Sequence, residues 1–310
     1  MIKRINFQKN ILFLLLLLAA NIVFVSCDED NFSQVVKIEI PKHEPKVAMS
    51  ALWLSQDTLP FVHIDKSRGI LDEENQPLPE DASVKLYING SLADTAVFYS
   101  EFNNNREGKY IFPQLNYTPV AGDEFRLEAT FDGLPVANAV QVMPDQISID
   151  KAEYIPNGSG SIDGGQLDLL NVTFTDPGDS EDYYQIRLFN LTKYPDYSNM
   201  QDSITELQST YLETNDPTLI MADGALLFSD KSFNGQQVTI KGQTYGGWGV
   251  IQSHEVHLVH ITKEAYYYLT SLSTYWNAVD NPFSQPVNVY SNIKDGYGVF
   301  GMGNTYKKVF

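Results

Sequence analysis

The sequence predicts an all-β protein built from two β-sandwich domains, the first immunoglobulin-like or fibronectin-III-like, with one short helix in the second. Three observations carry that expectation. Aromatic residues make up 12% of the chain, 18 of them Tyr and 17 Phe, and such side chains suit the pleated, half-buried surface of a sheet. Apolar and polar residues alternate in short runs. In Glu124 to Phe131, Phe125, Leu127, Ala129 and Phe131 share one face while Glu124, Arg126, Glu128 and Thr130 share the other. Turn dipeptides, among them Asn89-Gly90, Asp132-Gly133 and Asp295-Gly296, punctuate these runs.

Residues 1–26 read as a secretory signal peptide. Lys3, Arg4 and Lys9 precede the apolar run Ile11 to Ala20, a weaker run Ile22 to Val25 follows, and small Ser26 stands before Cys27. The apolar run is shorter than the roughly 20 residues that span a bilayer. Phe24-Val25-Ser26-Cys27 has the shape of a lipobox, in which the Cys thiol is acylated and the chain is cut just before it. Cys27 is the only cysteine, so the chain forms no internal disulfide even in an oxidising compartment. An uncleaved anchor helix, or an ordinary signal with Cys27 placed by chance, is the alternative. Residues 27–34 form a polar tether, and Asp28, Glu29 and Asp30 resemble the surface-export signal of Bacteroidota lipoproteins; the bland reading of the same residues is a solvated leader.

Charge bounds the partners. Loss of the signal removes three of the 21 basic side chains and none of the 39 acidic ones, so the formal charge of −18 becomes more negative still. Such a surface repels phosphate backbones and anionic lipid, which disfavours nucleic acid and leaves acylated Cys27 as the membrane contact. The length suggests two domains of roughly 100–200 residues each.

The first domain is expected over residues 35–144. Its strands are Val47 to Leu54, Phe61 to Ile64, Val84 to Ile88, Leu92 to Tyr99, Lys109 to Phe112, Glu124 to Phe131 and Leu134 to Val142, a spacing that fits an immunoglobulin-type sandwich. Met143-Pro144-Asp145 marks the boundary. In residues 145–310, Leu170, Val172 and Phe174 share a strand face that leads into the turn Asp176-Pro177-Gly178-Asp179, and Tyr184, Ile186 and Leu188 share the next. Ala225 to Phe228, Val238 to Ile240, Val250 to Ile261 and Tyr297 to Phe310 complete the strands. A helix over 263–279 is signalled by Thr262 as cap, Glu264 in the first turn, apolar residues at helical spacing and the stop Asp280-Asn281-Pro282. It is expected to cover one end of the second sandwich.

Several phrases together resemble a known family: the lipobox, Phe174-Thr175-Asp176-Pro177 with Tyr183-Tyr184, Phe228-Ser229-Asp230 with Phe233-Asn234-Gly235, and Tyr290-Ser291-Asn292-Ile293 with Gly296-Tyr297-Gly298-Val299-Phe300-Gly301. The family is one of Bacteroidota lipoproteins, a domain of unknown function whose members are typically encoded beside TonB-dependent outer-membrane receptors. The resemblance implies an outer-membrane lipoprotein that accompanies a β-barrel importer. It supplies no catalytic or ligand residues.

The residues themselves offer few chemical sites. His254, His257 and His260 lie in a strand pattern, which places His254 and His260 about 20 Å apart and turns His257 away, so one zinc cannot collect them. Asp176, Asp179, Glu181 and Asp182 are carboxylates of the kind that binds calcium, but their spacing does not match an EF-hand, and a strand-to-strand turn explains them equally well. Trp248, flanked by Gly246, Gly247 and Gly249, is a candidate contact for a sugar or a protein partner; the alternative is a ring tucked over the sandwich edge. Thr58, Thr95 and Ser203 sit in triplets that resemble Bacteroidota O-glycosylation acceptors. The sequence has no Gly-x-Ser-x-Gly nucleophile elbow and no His-Glu-x-x-His motif, and no cysteine is left for nucleophilic work. The expectation is therefore a non-enzymatic accessory without a cofactor, facing the medium and docked on a TonB-dependent receptor. An independent carbohydrate-binding or adhesive module is the first alternative and a surface hydrolase the second.

Overall fold

The structure, a computed structural model, describes residues 42–57, 59–69, 72, 78–99, 108–160, 165–195, 203–246, 249–279, 281 and 283–310. The first strands are β1 Val47–Leu54, β2 Phe61–Lys66, β3 Ser83–Ile88, β4 Ser91–Thr95, β5 Val97–Phe98, β6 Lys109–Ile111, β7 Glu124–Thr130 and β8 Ala137–Val142. There follow β9 Ile149–Gly160, β10 Gln166–Thr175, β11 Tyr183–Pro195, β12 Ser203–Thr210, β13 Ile220–Ala222, β14 Ala225–Ser229, β15 Gln237–Thr244, β16 Val250–Ile261, the helix α1 Lys263–Val279 and β17 Tyr297–Val309. Among the described residues the fold is all-β with one α-helix, as the sequence predicts.

The turn chemistry accounts for the hairpins. Asn89 and Gly90 at φ 49° and 80°, and Asp132 and Gly133 at φ 52° and 68°, are both left-handed, the backbone that tight hairpins require. The expected strand Leu92 to Tyr99 breaks in two at buried Ala96. Its first half, β4, pairs with β3, whereas its second half, β5, pairs with β6 in another sheet.

The strands form three sheets. A four-stranded sheet has the order β4-β3-β7-β8, a three-stranded sheet β15-β10-β9, and a ten-stranded sheet β13-β14-β11-β16-β17-β1-β2-β6-β5, with β12 paired to β11. The ten-stranded sheet crosses the boundary expected at Pro144. Its join is β17, which runs antiparallel to β16 (Leu258 opposite Tyr306) and parallel to β1 (Ala51 opposite Phe300). The two sandwiches thus share one sheet instead of each owning two.

Alternation along β17 and β16 assigns the layers. Phe300 and Met302 point into a core with Trp53, Val62, Leu86, Phe125 and Leu127, beneath the four-stranded sheet. Tyr306 and Leu258, on the same face, point into a second core with Phe174, Tyr184, Phe228 and Ile240, beneath the three-stranded sheet. The two small sheets therefore lie side by side on one face of the large one. The other face carries Tyr183, Leu227, Val259 and Ile261, which pack on Ala265 of α1. The helix was expected to close an end of the second sandwich; it lies instead across a sheet face, because β11, β14 and β16 are apolar on both sides. Thr262 does not cap it by side chain: its hydroxyl accepts the Met302 N–H at 3.1 Å, while its carbonyl accepts Tyr266 N–H at 3.0 Å.

Candidate metal centre

The strands of the second core end in turns that bring three carboxylates together. Asp176 follows β10, Asp182 precedes β11, and Asp230 opens the 3-10 turn Asp230–Ser232 after β14. Two glycines bring the turns into contact. Gly178 and Gly235 both have positive φ (80° and 72°), and a Cβ on Gly178 would stand 2.7 Å from the Gly235 Cα, so only glycine fits there. Backbone bonds complete the clasp: Asp230 N–H donates to Asp182 O at 3.0 Å, and Asp176 N–H to Gln236 O at 3.1 Å.

The three carboxylates are 2%, 4% and 1% exposed for Asp176, Asp182 and Asp230, and one oxygen from each lies within 4.8 Å of the others. Asp176 accepts the Tyr184 hydroxyl at 2.5 Å and the Gly235 N–H at 2.7 Å. Asp182 Oδ1 accepts the Ser180 hydroxyl at 2.8 Å and lies 3.2 Å from His260 Nε2. The other ring nitrogen, Nδ1, donates to the Asp145 carbonyl at 2.9 Å, so both nitrogens of His260 are engaged. Asp182 Oδ2 and both oxygens of Asp230 have no hydrogen-bond partner among the described residues. Burial raises the pKa of Asp230 from its ordinary value, the Asp182 backbone opposes that shift, and the facing carboxylates of Asp176 and Asp182 reinforce it. Burial and the bond to Asp176 likewise hold the Tyr184 hydroxyl well above its usual value. The floor is aromatic, with Tyr184 centred 5.0 Å from Phe174 and 5.6 Å from Phe228, which keeps the local dielectric low.

Of the three, Asp182 lines a cleft of about 620 Å³, whose walls include Gly122, Val140 to Asp145, Ser180 to Tyr183 and His260 to Glu264. Of the four carboxylates read from the sequence, the structure gathers Asp176 and Asp182 and leaves Asp179 exposed. Glu181 also points outward, 3.6 Å from Lys231 and 3.9 Å from Lys263. Asp230 enters from about fifty positions away and was missed. The signal that could have found it is shared: each of the three Asp sits where a strand meets a turn.

The other sequence candidates lie elsewhere. The expected strand around the histidines is β16. His254 and His260 share a face, and His257 turns to the opposite one, buried beside Phe189 and Glu255. Thr95 ends β4 and Ser203 begins β12, both exposed. Thr58, Trp248, Cys27 and Asp28 to Asp30 fall outside the described residues. Among those described, no helix is long and apolar enough to cross a membrane.

Known proteins are similar at a distance. No curated protein matches the chain. Two structures of Parabacteroides merdae β-glucuronidase, one with glycerol in its active site, align at 11% identity with TM-scores of 0.23 and 0.21. The alignments cover 71% of this chain and only 23% and 24% of those chains, and scores at that level transfer neither fold nor activity. The model of DUF4249, a domain of unknown function, matches residues 34–309, and the chain belongs to that family.

Proposed function

We propose that the protein is acylated at Cys27, exposed on the outer membrane, and works as a non-catalytic accessory that docks on a TonB-dependent β-barrel receptor. The lipobox and the acidic run Asp28 to Asp30 support attachment and export. The observation that carries docking is the end of the second sandwich remote from the carboxylates.

By register, three connections leave from that one end. They are the β9–β10 turn (Gly160 opposite Gln166), the β11–β12 hairpin (Pro195 opposite Ser203) and the β15–β16 link, which starts beside Asp168 and returns beside Lys193. Apolar side chains stand in solvent on these elements: Tyr245 is 58% exposed, Val250 68% and Leu207 48%. Tyr245 and Val250 flank the segment that contains Trp248. Loops at the end of a rigid sandwich are a common site of recognition, and the exposed aromatic and β-branched groups gathered on these connections support a partner surface there.

The experiment is a mild-detergent purification of the tagged protein from its native membrane, with co-purifying proteins identified by mass spectrometry. The expected result is stoichiometric recovery of a β-barrel receptor that is lost on Tyr245→Ser with Val250→Ser. Recovery of the lipoprotein alone, with measurable glycan affinity, would overturn the accessory role in favour of an independent carbohydrate-binding module.

A further inference from the structure

We propose that Asp176, Asp182 and Asp230 bind one calcium ion, which fastens the turn after β10 to the 3-10 turn after β14. The first observation is electrostatic. Three carboxylates, each at least nine-tenths buried and with oxygens within 4.8 Å of one another, repel strongly in a medium that screens poorly. Among the described residues no lysine or arginine pairs with any of the three: Lys231 and Lys263 face Glu181, and the one basic side chain in contact is His260, 3.2 Å from Asp182 Oδ1. The second observation is independent of charge. Both oxygens of Asp230 and Asp182 Oδ2 are buried without a hydrogen-bond donor among the described residues, although buried polar atoms are satisfied almost without exception in folded proteins. Tyr184, Ser180 and Gly235 supply donors to the remaining oxygens of Asp176 and Asp182. The clasp therefore holds Asp176 and Asp182 with hydrogen-bond donors, as an outer shell does at a metal site, and leaves three buried oxygens of Asp182 and Asp230 without one.

The donor set selects the ion. All three groups are hard oxygens, and two oxygens that bind one calcium at 2.3–2.6 Å are separated by at most about 5 Å, which the 4.8 Å limit satisfies. Zinc would favour nitrogen or sulfur, but both nitrogens of His260 are engaged. Magnesium demands near-ideal octahedral geometry and retains several waters, a poor fit to a pocket with an aromatic floor. Calcium tolerates irregular carboxylate geometry and can draw further oxygens from water through the cleft beside Asp182.

The test uses the full chain, stripped with chelator and titrated calorimetrically with calcium chloride and, separately, magnesium chloride, with thermal melts alongside. The expected result is one calcium per chain and a rise in Tm of about 5 °C at a hundredfold excess over Kd. In Asp230→Asn the calcium affinity falls at least tenfold, while the metal-free Tm stays at or above that of the chelated parent, because one of three repelling charges is gone. The absence of saturable binding to the parent, unchanged calcium affinity in Asp230→Asn, or magnesium binding as tightly as calcium would each overturn the proposal. If Asp230→Asn fails to fold, the parent titration and Asp182→Asn decide in the same way.

Discussion

At the scale of single residues, burial sets how the protein responds to acid. His257 is 4% exposed, its Nε2 lies 2.6 Å from Glu255 Oε1, and its ring packs 4.4 Å from that of Phe189. Burial lowers its pKa below the ordinary 6.5. Glu255 opposes that shift, and Lys307 and Arg187 reinforce it. As the pH falls through 6.5 the unfolded chain therefore takes up a proton before the folded one. The stability that His257 contributes is complete above that pH and is lost as the pH drops toward the folded value. His254, also lowered by burial and stacked on Tyr154 at 3.8 Å, acts in the same direction. The urea midpoint is expected to fall between pH 7.5 and 5.5, and His257→Gln, which keeps an N–H for Glu255, is expected to flatten part of that fall. An identical pH slope in the variant would refute this account.

At the scale of elements, β17 is the piece on which the arrangement turns. Its parallel register against β1 is tight at Gly298, where φ is 106° and a Cβ would stand 2.1 Å from the Met49 carbonyl oxygen. Gly298→Ala is expected to cost about 3 kcal/mol or more, since strain and a backbone clash add. Gly90→Ala, with φ 80° and open space around it, should cost only about 1–2 kcal/mol for its left-handed backbone. Urea unfolding of the two variants checks this, and equal losses would mean that packing at Gly298 contributes nothing. The partners of β17 were not legible in the sequence. Period-2 alternation reveals that a segment is a strand and which residues share a face, so β7 and β16 were read close to their true bounds, the Leu170, Val172 and Phe174 face of β10 was read, and the helix at 263–279 was read to the residue. It does not reveal which distant strand will be the neighbour. The bond from Thr305 N–H to Ser55 Oγ spans 250 residues. The carboxylate trio was half legible for the same reason: Asp176 and Asp182 share one local turn, whereas Asp230 arrives through the pairing of β11 with β14. The fold class followed from local patterning; the shared sheet and the third carboxylate required long-range pairing.

At the scale of the whole molecule, the shared sheet makes the two halves mutually dependent. The first core is incomplete without Ile293, Phe300 and Met302, which come from the far end of the chain. Trp53 lies edge-on to Phe112 at 5.6 Å and to Phe300 at 5.1 Å, so one aromatic cluster joins residues from both halves. The seam is bonded as well, with Asn304 donating to the Pro144 carbonyl at 2.9 Å and Gln146 to the Thr305 carbonyl at 2.7 Å. Release of β17 would strip β1 and β16 of a neighbour together and open both cores, so neither half has a low-energy route to unfolding alone. The chain is therefore expected to unfold in a single transition despite its length. Hydrogen exchange read by mass spectrometry at rising urea tests this: peptides from β3 and β7 should lose protection at the same midpoint as peptides from β10 and β15. Two midpoints, with the four-stranded sheet opening while the three-stranded sheet stays protected, would show that the sheet joins two independently stable domains and that β17 is a bridge rather than a common core strand.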